Sequence, residues 1–94
     1  MVYEDLKGIS LEDVPLNCKC KVNFIDMDFE SRIRLYDLGF VPESVIVPKY
    51  TSFLDSTKAY YVKGTLIALR KETGSKIKVN LLKEDRQWKN IPLL

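Results

Sequence analysis

Apolar and polar side chains alternate along residues 18–24, which puts Cys18, Cys20, Val22 and Phe24 on one face and Lys19, Lys21 and Asn23 on the other. That period of two predicts a half-buried strand. The same alternation returns in Lys76-Ile77-Lys78-Val79-Asn80-Leu81. Between these two, Val45-Ile46-Val47-Pro48-Lys49-Tyr50 is a β-branched run whose proline places it at a sheet edge or a bulge. Ala59-Tyr60-Tyr61-Val62 and Thr65-Leu66-Ile67-Ala68-Leu69 flank Lys63-Gly64 and predict a hairpin in which Gly64 supplies the positive φ. A polar stretch over residues 51–58 leads into this hairpin, and a turn over 70–74 leads out of it.

Two segments have a helical pattern instead. Ser10-Leu11-Glu12-Asp13 predicts one helical turn, with the Ser10 hydroxyl accepting from the Asp13 amide, before Pro15 and Asn17 end it. Asp26 or Asp28 is placed to cap a helix through residues 29–38, and Gly39 comes next, where a left-handed residue closes a helix. Phe40 then folds back on the last turn and Pro42 forbids continuation. At 100° per residue, Leu35 and Leu38 share a side with Ser31, whereas Phe29, Ile33 and Tyr36 lie well over 100° away. The helix therefore has two apolar sides, of which only the Leu35–Leu38 side is assigned to the core.

About five short strands with one short helix inserted after the first, and no long helical crossover, predict an all-β fold: a small SH3-like antiparallel barrel. Its expected limits are residues 10–82, with an N-terminal extension over 1–9 and a C-terminal tail over 83–94 carrying Trp88, Ile91 and Leu93. The 94 residues, 46% of them apolar, suit one domain with one core.

Composition narrows the chemistry further. The chain has no histidine, which removes imidazole acid–base catalysis, Ser-His and Cys-His nucleophile pairs and histidine metal ligands. A net charge of +2 is too small to favour nucleic acid as the partner. A basic stripe of Lys19, Lys21, Lys76 and Lys78 on paired strands is the one arrangement that would change this. No apolar run approaches the roughly 20 residues a membrane span needs, and the acidic start Met1-Val2-Tyr3-Glu4-Asp5 predicts a cytoplasmic protein whose two cysteines are thiols.

Three pieces in this order resemble the FeoA family of bacterial ferrous iron transport. They are Ser10-Leu11-Glu12-Asp13, then Arg34-Leu35-Tyr36-Asp37-Leu38-Gly39-Phe40-Val41-Pro42, then Leu66-Ile67-Ala68-Leu69-Arg70-Lys71 before Ile77-Lys78-Val79. The resemblance implies an SH3-like barrel that is a binding accessory rather than an enzyme, without a cofactor. Its implied partner is the cytoplasmic region of a ferrous iron permease that carries a G domain. The same barrel forms the C-terminal domain of metal-dependent repressors, so a metal-responsive regulatory module is the alternative. Glycine is usual in the family where this chain has Asn17 and Glu43, and a small apolar residue where it has Gly74. The loop over residues 51–58 carries Phe53 and Leu54 in place of the family's Gly-Asp-Pro flavour.

The candidate partner-binding residues are Phe29, Ile33 and Tyr36 on the second helix side, with Phe53, Leu54 and Tyr61 around the aromatic loop. Strand alternation assigns Tyr61 outward and Tyr60 to the core. Either a partner covers the helix side, or the chain's own ends do, through Trp88, Ile91 and Leu93 or through Val2, Tyr3 and Leu6; self-association is also open. Arg34, Leu35, Leu38, Gly39, Pro42, Gly64 and Leu69 are read as structural motif positions. Cys18 and Cys20 are weak candidates for transition metal ion binding, since two thiolates make half a site and alternation turns both inward. Asp26, Asp28 and Glu30 are better read as capping and dipole-compensating residues than as a cation site.

Overall fold

The computed structural model describes residues 7–52 and 56–82. Its elements are β1 (Lys7–Ser10), a 3-10 turn (Leu11–Asp13), β2 (Cys20–Ile25), α1 (Phe29–Leu38), β3 (Val45–Thr51), β4 (Thr57–Val62), β5 (Thr65–Arg70), the one-turn α2 (Lys71–Gly74) and β6 (Ile77–Leu81). All strand pairings are antiparallel, and the single sheet runs β1-β6-β2-β3-β4-β5. The all-β antiparallel architecture expected from the sequence is present, with six strands instead of five. The extra one, β1, straddles the boundary expected after residue 9. Among the described residues the two edges, β1 and β5, exchange no hydrogen-bond ladder, so the sheet is not closed.

One buried cluster fills the inner face. Leu11 and Val14 from the 3-10 turn, Val22, Ile46, Tyr60, Val62, Ile77 and Val79 from the strands, and Leu35 and Phe40 from the helix and its exit are all at most 5% exposed. Phe40 meets Tyr60 edge to face, with ring centroids 6.4 Å apart at 88°. Burying each ring contributes roughly 1.5–3 kcal/mol.

The helix ends where local chemistry requires. Asp28 is the N-cap, its Oδ1 accepting from the Ser31 amide at 3.1 Å. At the other end Gly39 adopts φ 107°, Gly39 N–H donates to Tyr36 O and Phe40 N–H to Leu35 O, both at 2.9 Å. This pair of bonds is the Schellman closure. A further backbone oxygen, that of Gly39, accepts from Ser44 Oγ at 2.7 Å. The closure also corrects one expectation: Leu38 does not join Leu35 in the core but is 45% exposed. After the reversal at Gly39 it is Phe40 that is fully buried.

Strict alternation of the first predicted strand also fails. β2 starts at Cys20, and a bulge lies between Val22↔Val79 and Phe24↔Lys78, with Asn23 as the extra residue. An inserted residue turns everything after it to the opposite face, so Phe24 is 51% exposed and Ile25 is buried. Val22 is held at the bulge by the loop after α1, its N–H donating to Ser44 O and its carbonyl accepting from Glu43 N–H, both at 2.9 Å. Pro48 does lie at a bulge, between Pro48↔Tyr60 and Tyr50↔Ala59, but in an interior strand. It is tolerated because the β2–β3 ladder stops at Cys20↔Ile46 and Lys21↔Val45, and the Pro48 carbonyl beyond accepts from Asn17 N–H at 2.7 Å.

Ser10 does not cap the 3-10 turn. As the last residue of β1 it faces Lys78 across the ladder, and its Oγ donates to Ser75 O and accepts from Lys78 Nζ, both at 3.0 Å. Lys78 Nζ also donates to Ser75 O at 2.9 Å, and Lys21 pairs with Glu43 at 3.2 Å. The proposed basic stripe is thereby dismantled, since Lys78 is folded back on β1. The family's two glycine positions keep the backbone that glycine favours: Asn17 has φ 69° and Glu43 φ 77°.

Candidate docking surface

The sheet's outer face is built by the register of β3, β4 and β5. Val47 lies opposite Tyr61, and Tyr61 opposite Leu66, so one row crosses three strands. Beyond the bulge, Tyr50, Ala59 and Ala68 make a second row. Tyr50 is 60% exposed, Tyr61 48% and Leu66 51%. Contiguous apolar surface of this kind, with aromatic anchors, is the usual material of a protein interface. Tyr60 is buried and Tyr61 exposed, as alternation predicts. Leu66 belongs to the patch, although the sequence alone marks it only as part of a motif; its period-two spacing with Ala68 is the signal that could have found it.

The hairpin that carries this face is set by Lys63 and Gly64, both at positive φ (50° and 81°). That is the geometry of a two-residue type I′ turn. Phe53 and Leu54 lie outside the described residues, as do Val2, Tyr3, Leu6, Trp88, Ile91 and Leu93.

On the helix, the three candidates separate. Phe29 is 67% exposed, with the Arg32 guanidinium 5.9 Å from its ring centroid, and Ile33 is exposed one turn on. Tyr36 instead packs against the core. Arg34 is exposed and helps line a cleft of about 180 Å3 with Met27, Ser31, Leu35 and Thr73.

The reactive side chains are dispersed. Cys20 is fully buried and its Sγ donates to Ile46 O at 3.4 Å, whereas Cys18, just before the strand, is half-buried; neither is in a disulfide. Among the described residues no three His, Cys, Asp or Glu side chains gather to hold a metal ion. Asp28 accepts from Ser31, first through the hydroxyl and then through the backbone N–H, and these bonds hold its carboxyl below the ordinary value. Tyr60 is pushed the other way, mainly by burial and next by the neighbouring Glu12 carboxylate. Lys58, buried beside that pair, donates from Nζ to Glu12 O at 2.8 Å and to Val14 O at 3.0 Å. No described helix is long and apolar enough to cross a membrane.

A six-stranded antiparallel sheet over one core, with α1 inserted between β2 and β3 and an apolar outer face, defines a small SH3-like domain. Residues 9–81 match the FeoA domain model, and the chain belongs to that family. A FeoA-like protein from Clostridium acetobutylicum superposes with a TM-score of 0.73 at 29% identity, covering 85% of this chain and 93% of that one. The zinc complex of Stenotrophomonas maltophilia FeoA, a procaryotic SH3 domain protein, gives 0.65 at 23% identity over 78% of this chain and 91% of that one. The fold extends to the ScaR repressor with bound Zn2+, at a TM-score of 0.71 and 16% identity, covering 81% of this chain but 38% of ScaR. No curated protein matches the chain by sequence.

Proposed function

We propose that this chain is a cytoplasmic accessory of ferrous iron uptake that acts by docking onto the cytoplasmic region of a GTPase-linked iron permease. The family is one of transport accessories, and an activating role in ferrous iron transport has been put forward for the Stenotrophomonas relative. The observation that carries the reading is the outward row Val47–Tyr61–Leu66, which sets a half-exposed tyrosine and leucine side by side on one face of the sheet. An accessory of this kind works by preferring one conformation of its partner, because a bound protein shifts an equilibrium only through differential affinity. Titration of the permease's cytoplasmic region, and of the whole permease, with the folded protein tests the proposal. Binding that weakens when Tyr61 and Leu66 are replaced by serine supports it; a folded protein that binds neither overturns it.

A further inference from the structure

The two edges of the sheet are treated differently. β1 has four residues, a bulge between Lys7 and Ile9, and Gly8 at φ 76° with its N–H donated to Asn80 Oδ1 at 3.0 Å. Those are the devices by which proteins blunt an edge. β5 has none of them: its six residues, Thr-Leu-Ile-Ala-Leu-Arg, hold an unbroken register with β4 from Thr57↔Arg70 to Val62↔Thr65, with no proline and no lysine.

The register also says which backbone groups are free. A two-residue turn closes on a hydrogen-bonded pair, here Val62 and Thr65, and such pairs recur at every second position. Lys71 N–H donating to Ser56 O at 3.0 Å confirms the phase, two residues beyond Lys58↔Leu69. Leu66 and Ala68 fall between these pairs, so their N–H and C=O groups point away from β4. No loop or turn among the described residues bonds to them. Their side chains are exposed on the outer face.

We propose that β5 is a docking edge that accepts an extended segment of a partner protein as a seventh, antiparallel or parallel strand, through the backbone groups of Leu66 and Ala68. Charge selects the occupant. Lys63 stands at one end of β5 and Arg70 and Lys71 at the other. The ion pair found among the described residues is Lys21–Glu43 and involves none of them. The segment therefore carries carboxylates at its ends and apolar residues at alternate positions, which extend the Val47–Tyr61–Leu66 row. A second copy of β5 would bring like charges together instead. This inference rests on the docking role proposed above, though not on the identity of the partner.

The probe is a short synthetic peptide alternating valine and threonine with aspartate at each end. At saturation it slows amide hydrogen exchange of Leu66 and Ala68 at least tenfold, and the same peptide with N-methyl groups on its pairing amides binds at least tenfold more weakly. Lysine in place of the aspartates also weakens it. In the protein, Ala68→Pro removes an N–H that β4 does not use and abolishes peptide binding; should that variant not fold, the N-methylated peptide makes the same test from the ligand side.

Unchanged exchange at Leu66 and Ala68, or equal binding by the N-methylated peptide, overturns the proposal. So does protection that grows with protein concentration in the absence of peptide, which would assign the edge to a second copy. Permease that binds wild type and folded Ala68→Pro equally sinks the edge and spares the accessory function; peptide that binds where permease does not does the reverse.

Discussion

Gly74 lies against Tyr60: a Cβ on residue 74 would lie 3.3 Å from Tyr60 Oη, a tight contact, and 3.5 Å from Glu12 Oε1, an ordinary one. Both oxygens are buried, and neither reaches a hydrogen-bond partner among the described residues. Gly74→Ala lowers the freedom of the unfolded chain, a gain of about 0.4–1 kcal/mol, but must shift the hydroxyl by a few tenths of an ångström. We expect it to be neutral or destabilising in the wild type and stabilising by about 0.4–1 kcal/mol once Tyr60→Phe has removed the obstacle. Tyr60→Phe alone should cost little, since it deletes an unsatisfied buried group. A double-mutant cycle in urea that showed no coupling would refute the shared volume.

The same tyrosine sets the alkaline limit. Its folded ionisation is raised above the ordinary 10.0 by burial and then by Glu12. The unfolded chain thus releases the proton first. The stabilisation is complete below about pH 10 and falls as the pH climbs beyond it, by about 1.4 kcal/mol per pH unit. Tyr60→Phe should flatten that decline. Urea midpoints for the two proteins between about pH 9 and 11 provide the comparison; parallel curves would contradict it.

Acid acts on the cap of α1. Asp28 is held below its ordinary 3.8 by Ser31, so its contribution to α1 is present above that value and is lost as the pH falls through the lower, folded one. The Ser31 amide resonance should titrate with a midpoint below 3.8. Asp28→Asn keeps an acceptor at the cap and should abolish the titration while the helix remains.

Glu43 sits at φ 77° without being glycine, and its ion pair with Lys21 is 80% exposed on the Glu43 side. Left-handed backbone costs a residue with a Cβ about 1 kcal/mol, whereas an exposed ion pair returns less. Glu43→Gly should stabilise the fold by up to about 1 kcal/mol, less the entropy that glycine adds to the unfolded chain. Thermal unfolding decides the sign.

Tyr61→Ser combined with Leu66→Ser should separate docking from folding. Both side chains are about half exposed, so together they should cost no more than about 1 kcal/mol of stability. Partner affinity should drop by at least tenfold if they anchor the contact. Unfolding and titration on one preparation give both numbers.

Much of this architecture is legible in the residues. Period-two runs locate β2, β3, β4, β5 and β6, and Asp28, Gly39 and Gly64 announce their caps and turn, because those signals are local. β1 carries too little pattern in Lys7–Ser10; it is a strand because β6 offers a ladder. Periodicity misplaces Phe24 because the bulge at Asn23 shifts the phase of the strand, and no periodicity within a segment encodes a shift imposed by its neighbour. It misplaces Leu38 for another reason: helical spacing tells which side of α1 a residue lies on, not how far along the helix that side stays covered. The docking face is half visible. Tyr61 emerges from alternation, but its alignment with Val47 and Leu66 is a property of register across three strands.

The two inward lysines have a further consequence. Lys58 and Lys78 spend their ammonium groups on carbonyl and hydroxyl oxygens at 2.8–3.0 Å. Contacts to such dipoles fade over a shorter range than the atmosphere of mobile ions that shields distant charges. These four contacts should therefore barely respond to ionic strength, while any embrace of an acidic partner by Lys63, Arg70 and Lys71 would loosen in brine.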